Sequence, residues 1–208
     1  MSLETHEIEV KYAVADLLAV EKRLKAIGAQ LIQARIFESN LRFDDQDGSL
    51  GKTASVLRLR LDTAARLTYK GPSVFDAGVR DRLEIEFVVG DFYAARSFLE
   101  ALGYRVIMTY EKYRAMYNLE EVTVTLDELP YGSFVEIEGP DAESIRQVNE
   151  QLGLDWDAAV QESYSEIFAR LKQVKGWDFR DLSFENFTDR EVQLQDLDIM
   201  PADHQGDG

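Results

Sequence analysis

The sequence predicts an α+β chain built on an antiparallel meander or barrel of eight strands, with a charged interior and amphipathic helices packed outside. Three observations carry this expectation. The tripeptide Glu-Ile-Glu occurs at Glu7-Ile8-Glu9, Glu84-Ile85-Glu86 and Glu136-Ile137-Glu138. Charges of both signs alternate with aliphatics on other segments too: Arg58 and Arg60 between Leu57, Leu59 and Leu61, and Lys112 and Arg114 beside Tyr113. The helical segments carry apolar stripes that need a surface to cover, such as Leu17, Val20, Leu24 and Ile27, or Phe92, Ala95, Phe98, Leu99 and Leu102. Alternation normally puts apolar side chains inside. If the helices cover the outer face of a closed sheet, the charged face points inward and lines a lumen.

In chain order, strands are predicted near 4–13, 30–45, 54–62, 65–71, 79–89, 104–118, 121–127 and 133–139, and helices near 16–27, 91–102, 141–152 and 158–172. Each Glu-Ile-Glu strand is followed by an aspartate suited to cap a helix, Asp16, Asp91 or Asp141, because a short carboxylate reaches the free amides of the first turn. Each of those helices ends in an apolar residue and glycine, at Ile27-Gly28, Leu102-Gly103 and Leu152-Gly153, where glycine adopts the left-handed closing conformation. Asp47-Gly48, Asp62-Thr63, Gly71-Pro72, Pro130-Tyr131-Gly132 and Gly139-Pro140 punctuate the strands. A lone Glu-x-Glu is more often a solvated strand face; three with matching punctuation suggest an internal repeat and one shared site.

With 208 residues and 45% apolar content, the chain suits one domain, residues 1–172, with an extension over 173–208. The extension has three basic against nine acidic residues and isolated aromatics Trp177, Phe179, Phe184 and Phe187. It is expected to be a loosely packed or disordered appendage, with a docking or homodimer arm as the alternative. A net charge of -16 argues against nucleic-acid and anionic-membrane partners, so a polyanion would need a local basic pocket. There is no cysteine, and the two histidines, His6 and His204, stand near opposite ends. Disulfides, thiolate zinc and cysteine nucleophiles are excluded, and carboxylate oxygen is left as the metal ligand, which favours Mg²⁺ or Mn²⁺. Without a membrane-length apolar run or a leader-like segment, the expected location is the cytoplasm.

Glu7-Ile8-Glu9-Val10-Lys11 is an ExExK motif, followed by Leu57-Arg58-Leu59-Arg60, Leu67-Thr68-Tyr69-Lys70-Gly71-Pro72, Arg82-Leu83-Glu84-Ile85-Glu86, Glu111-Lys112-Tyr113-Arg114, Leu126-Asp127 and Gly132-Ser133-Phe134-Val135-Glu136-Ile137-Glu138-Gly139. This ordered set resembles the CYTH superfamily of class IV adenylate cyclases and thiamine triphosphatases, also called triphosphate tunnel metalloenzymes. The Thr-Tyr-Lys-Gly-Pro and Phe-Val-Glu-Ile-Glu segments are most similar to the bacterial class IV cyclase branch. The resemblance implies an eight-stranded antiparallel tunnel that binds triphosphate and divalent metal inside. It implies phosphate ligands Lys11, Arg58, Arg60, Lys70, Arg82, Lys112 and Arg114, of which Lys11, Arg58, Lys70 and Arg114 are the catalytic candidates. Metal ligands would be Glu7, Glu9, Asp127, Glu136 and Glu138, with Glu84 and Glu86 orienting the arginines and water. Tyr164 stands where the family often has a Ser-Tyr helix near one mouth. Arg42 falls where thiamine triphosphatases and many relatives carry a tyrosine that pairs with a lysine, which argues against thiamine triphosphatase activity.

Three activities fit such a pocket: hydrolysis of tripolyphosphate or a nucleoside triphosphate, cyclisation of ATP to cyclic AMP and pyrophosphate, or binding of polyphosphate or nucleotide without turnover. No adenine-reading motif is visible, which places triphosphatase chemistry slightly ahead.

Overall fold

The structure, a computed structural model, describes residues 5–203. In chain order these form β1 (Thr5–Val14), α1 (Leu17–Ala26), β2 (Gln30–Asp44), α2 (Ser49–Lys52), β3 (Val56–Leu61), β4 (Ala65–Lys70), β5 (Val74–Asp76), β6 (Val79–Val89), α3 (Phe92–Ala101), β7 (Arg105–Leu119), β8 (Val122–Leu129), β9 (Gly132–Glu138), α4 (Ala142–Leu152) and α5 (Tyr164–Lys175). The repeated punctuation acts as its chemistry requires. Asp16 accepts from the Ala19 amide, Asp91 from Tyr93 and Ala94, and Asp141 from Ser144. Gly28, Gly103 and Gly153 all take positive φ, at 85°, 94° and 61°, a region that β-carbons disfavour.

All strand pairings are antiparallel, in the order β1-β9-β8-β7-β2-β3-β4-β6, and β6 pairs back onto β1. Eight strands therefore close into a ring, which leaves no long free edge. β5 adds a short rung beside the start of β6. The ring is layered in reverse of a usual sandwich. Its outer face meets α1 and α4 through Val10, Tyr12, Val124, Leu126, Val135 and Ile137, and meets Leu99 of α3 through Leu41, Phe43 and Leu59. Ile8 and Ile137 both pack in the first of these clusters, while the glutamates beside them face the lumen.

A third cluster closes one end of the ring. Inward-facing Ala13, Phe134 and Leu129 pack with Ile167, Phe168 and Leu171 of α5 and with Leu182, Phe187 and Leu197 from beyond it. This differs from the expectation that all helices lie outside. α5 also begins later than the predicted 158, because Ser163 forms a capping box with Glu166 that fixes the first turn; Trp156–Ala158 is a separate 3-10 turn. β5 and α2 are further additions to the predicted elements. On α3, Phe98 and Leu102 were expected to cover the sheet but are 63% and 61% exposed, since Leu99 with Phe92 and Ala95 already fills the contact.

The described part of the C-terminal extension packs tightly, unlike the loose appendage expected from its acidity. Leu182 and Leu197 are fully buried, and Trp177, Phe179 and Phe187 stack against one another at 5.5–5.7 Å. The extension also occupies vacated strand edges. β8 pairs with β7 only from Tyr113 onward, and ahead of that point Leu182 donates to the Thr109 carbonyl and accepts from the Glu111 amide, both at 2.9 Å. On β1, the Ala13 carbonyl accepts from Ala202, and Asp203 accepts from the Ala15 and Asp16 amides. His204 and the final residues lie outside the described part.

Candidate functional site

Ring closure makes neighbours of the three Glu-Ile-Glu strands, because β1 pairs with β6 on one side and β9 on the other. Glu9 and Glu138 stand directly opposite each other. The acidic triplets therefore form one wall of the lumen. The strands that complete the ring bring Lys70 on β4, Arg58 and Arg60 on β3, Arg42 on β2, and Lys112 and Arg114 on β7 to the same cavity. That cavity has a volume of about 430 Å³ and is lined by nine basic and six acidic side chains. In a chain of net charge -16, this lumen is lined by more cations than anions.

Every basic and acidic residue expected in the site lines this cavity, except Asp127, which sits behind it. The ion pairs show how so many charges coexist. Lys70 bridges Glu7 at 2.6 Å and Glu84 at 2.9 Å. Arg82 reaches Glu7 at 2.7 Å and Glu9 at 3.5 Å. Glu86 accepts from Arg58, Arg60 and Thr68, so it orients the two β3 guanidiniums. Lys11 lies 3.6 Å from Glu136 and 4.2 Å from the Tyr164 ring centre.

Asp127 is fully buried and accepts from Arg114 through both oxygens, and from Lys112 and the Tyr164 hydroxyl. Three of those donors meet Oδ2 and one meets Oδ1, so Asp127 anchors the cationic wall. It also ties Tyr164, at the start of α5, to the tunnel. Arg42, at the tyrosine position of many relatives, bonds the Ser165 hydroxyl.

Electrostatics separate the carboxylates into two kinds. Burial opposes ionisation of Glu7 and Glu136, yet Lys70 and Arg82 at the first, and Arg114 and Lys11 at the second, outweigh it and hold both below the usual carboxylate range. Glu9 is pushed up by burial and by Glu7 and Glu136. Glu138 is pushed up to about 7 by burial and by Glu7 and Glu9. The acidic wall thus holds more negative charge than its own cations offset. No three of its carboxylates converge into a ready-made ion cage among the described residues. A divalent ion would be held by one or two of them and by substrate oxygens, which is how magnesium commonly binds. The oxygen-only donor set and the raised carboxylates of Glu9, Glu84 and Glu138 fit that arrangement.

Sequence reasoning missed Arg80, Glu38 and Tyr110. Arg80 bonds the Gln161 carbonyl and lies 3.6 Å from Glu9; Glu38 is almost fully buried near Arg60 and Lys112. The signal was present for two of them, since Arg80 and Tyr110 extend the i, i+2 series Arg82-Glu84-Glu86 and Lys112-Arg114 already noted, whereas neutral Asn40 separates Glu38 from Arg42.

A closed antiparallel ring with a charged lumen agrees with the family match, in which the CYTH domain model spans residues 5–164. The chain belongs to the CYTH domain family. Its structure is similar to a candidate adenylate cyclase from Vibrio parahaemolyticus, with TM-score 0.71 and 25% identity over 80% of this chain and 99% of that one. It is also similar to the PH1819 protein of Pyrococcus horikoshii, with TM-score 0.67 and 26% identity over 78% and 98%. A Hippeastrum protein described as a candidate adenylyl cyclase with a dominant triphosphatase activity shares the fold at TM-score 0.61 and 19% identity, over 83% and 97%. No curated protein sequence matches the chain. The CYTH match ends at Tyr164, so the packed extension lies beyond it. No helix among the described residues is long and apolar enough to cross a membrane.

Proposed function

We propose that this CYTH chain is a divalent-metal-dependent triphosphatase that hydrolyses tripolyphosphate or a nucleoside triphosphate. The observation that carries the reading is the polarised lumen: an acidic wall on β6-β1-β9 faced by cations from β4, β3, β2 and β7. A linear triphosphate is a chain of like charges, and such a cradle is complementary to it. Arg58, Arg60 and Arg114 present planar forks for phosphate oxygens, and Lys11, Lys70 and Lys112 add point charges. Arg82 completes the phosphate set from the acidic side. Because Glu86 and Asp127 pre-orient these guanidiniums, charge that develops on the transferring phosphoryl group meets fixed donors. Glu7, Glu9, Glu136 and Glu138 would hold Mg²⁺ or Mn²⁺, which when bound would neutralise the carboxylates and polarise phosphate oxygens. In this assignment Asp127 positions Arg114, Lys112 and Tyr164.

Likeness to the Vibrio protein favours a second reading, in which a ribose hydroxyl attacks the α-phosphorus of ATP and pyrophosphate leaves. The deciding experiment incubates the chain with tripolyphosphate, ATP or thiamine triphosphate plus Mg²⁺ or Mn²⁺ and measures phosphate, pyrophosphate and cyclic AMP. Phosphate release from tripolyphosphate and ATP is expected to exceed cyclic AMP formation. Cyclic AMP as main product, with tripolyphosphate ignored, would establish the cyclase. Tight binding without turnover would make the chain a polyphosphate binder.

A further inference from the structure

Two tyrosine hydroxyls reach the tunnel lumen, and their surroundings differ in kind. Tyr164 donates to the Asp127 carboxylate at 2.8 Å, and burial together with Asp127 and Glu136 raises its phenol well above the ordinary value. Tyr110 on β7 makes the opposite contact. Its oxygen lies 3.3 Å from Arg58 Nη1, which donates to it, and among the described residues no acceptor takes the Tyr110 proton. A phenol that accepts a charge-assisted bond and donates none loses no bond on ionisation.

The charges facing Tyr110 are Arg58 from β3, Lys112 two residues along its own strand, and Glu38 from β2. Asn40, directly across on β2, is neutral, and the cluster under the ring end is apolar. Burial opposes the phenolate, but Arg58 and Lys112 outweigh both burial and Glu38, and the phenol falls below its ordinary value. Two like groups pushed apart by their environments mark acid and base roles.

We infer that Tyr110 is the proton acceptor for the attacking water in this tunnel. The inference rests on the triphosphatase reading. The water oxygen bonds to the terminal phosphorus while its proton passes to the Tyr110 oxygen. The bond from that phosphorus to its bridging oxygen breaks, and the electron pair leaves with the pyrophosphate. Arg58 serves both partners, because its Nη1 reaches the phenol while the guanidinium lines the phosphate cavity.

The test uses the full chain with tripolyphosphate and Mg²⁺. Tyr110→Phe removes only the hydroxyl and is expected to lower kcat about 100-fold or more, the contribution of a general base, with KM and the thermal shift produced by tripolyphosphate retained. Difluorotyrosine placed at 110, whose phenol is more acidic, is expected to move the acid limb of the pH–kcat profile to lower pH. Ultraviolet difference titration of wild type against Tyr110→Phe is expected to show a tyrosine ionising below its ordinary range. An unmoved acid limb, or a Tyr110→Phe enzyme within about threefold of wild type against that base contribution, would overturn the base and leave the triphosphatase standing. Wild-type protein that releases no phosphate from any triphosphate would sink both, and an unchanged ultraviolet titration would sink the base alone.

Discussion

Arg58 and Arg114 both face the cavity, but their neighbours make their loss different. Without Arg58, Glu86 keeps Arg60 and Thr68, so Arg58→Met should fold normally. It should lower kcat/KM for tripolyphosphate and ATP alike, by about 2–4 kcal/mol of transition-state stabilisation. Unequal losses on the two substrates would show that they do not share one cradle. Arg114→Met strips the fully buried Asp127 of its two-point partner, and breaking a buried pair from one side typically costs about 3–5 kcal/mol. Urea unfolding should therefore separate the two variants before any assay does. Glu138 and Glu9 act on stability in the other direction. Both have raised values, Glu138 to about 7, so without metal the folded chain holds protons that the unfolded chain has released. That stabilisation is full below the ordinary carboxylate range, and the share from Glu138 is lost as pH rises through about 7. A divalent ion removes the repulsion, so the Mg²⁺-induced rise in Tm should grow across this window. A rise that is flat with pH, or that survives Glu138→Gln unchanged, would take Glu138 out of the metal site.

At the scale of elements, α5 joins the lumen to the outer structure. Its first residue holds Asp127, while Arg170 bonds the Leu197 carbonyl and Lys175 pairs with Asp196 at 2.7 Å. Leu197→Ala should cost about 2–5 kcal/mol as a buried-leucine truncation. It should also weaken tripolyphosphate binding, measured by calorimetry, because the same residue braces the helix that orders Tyr164. Stability lost with affinity intact would separate the extension from the site. The start of α5 was misread because apolar Ala158, Ala159 and Val160 precede it and can pass for its first turn, whereas the capping box of Ser163 and Glu166 fixes that turn later in the chain. The caps at Asp16, Asp91 and Asp141 were legible because their donors are local, three residues away or fewer. The extension was misjudged for a related reason. Its acidity dominates the composition, while its burial depends on strand edges that β8 and β6 leave open far away in sequence.

For the whole molecule, the ring predicts binding dominated by the triphosphate. Tripolyphosphate with Mg²⁺ should raise Tm more than orthophosphate does and should compete with ATP; saturation at about 100 Kd corresponds to about 2.7 kcal/mol. Equal shifts for both anions would mean that the walls do not read a linear chain of charges. Alternation along Glu7-Glu9-Lys11, Arg58-Arg60, Lys112-Arg114 and Glu136-Glu138 was enough to show that one face of each strand is charged, because a strand's period of two is a property of the backbone itself. The same alternation, extended by one step, would have reached Arg80 and Tyr110. Which face is inside, and who stands opposite whom, depended on closure. Only the pairing of β6 onto β1 places the three Glu-Ile-Glu strands side by side, whereas β2, paired with both β3 and β7, brings Arg58 to the Tyr110 oxygen, and the β7–β8 pairing together with α5 commits Asp127 to Arg114, Lys112 and Tyr164. The sequence by itself determined the charged strand faces and the helix caps, both set by local covalent and hydrogen-bonding geometry. Tertiary structure decided the segregation of acidic and basic walls and the ionisation of each group, since both depend on charges brought within a few ångströms by contacts between residues distant in the chain.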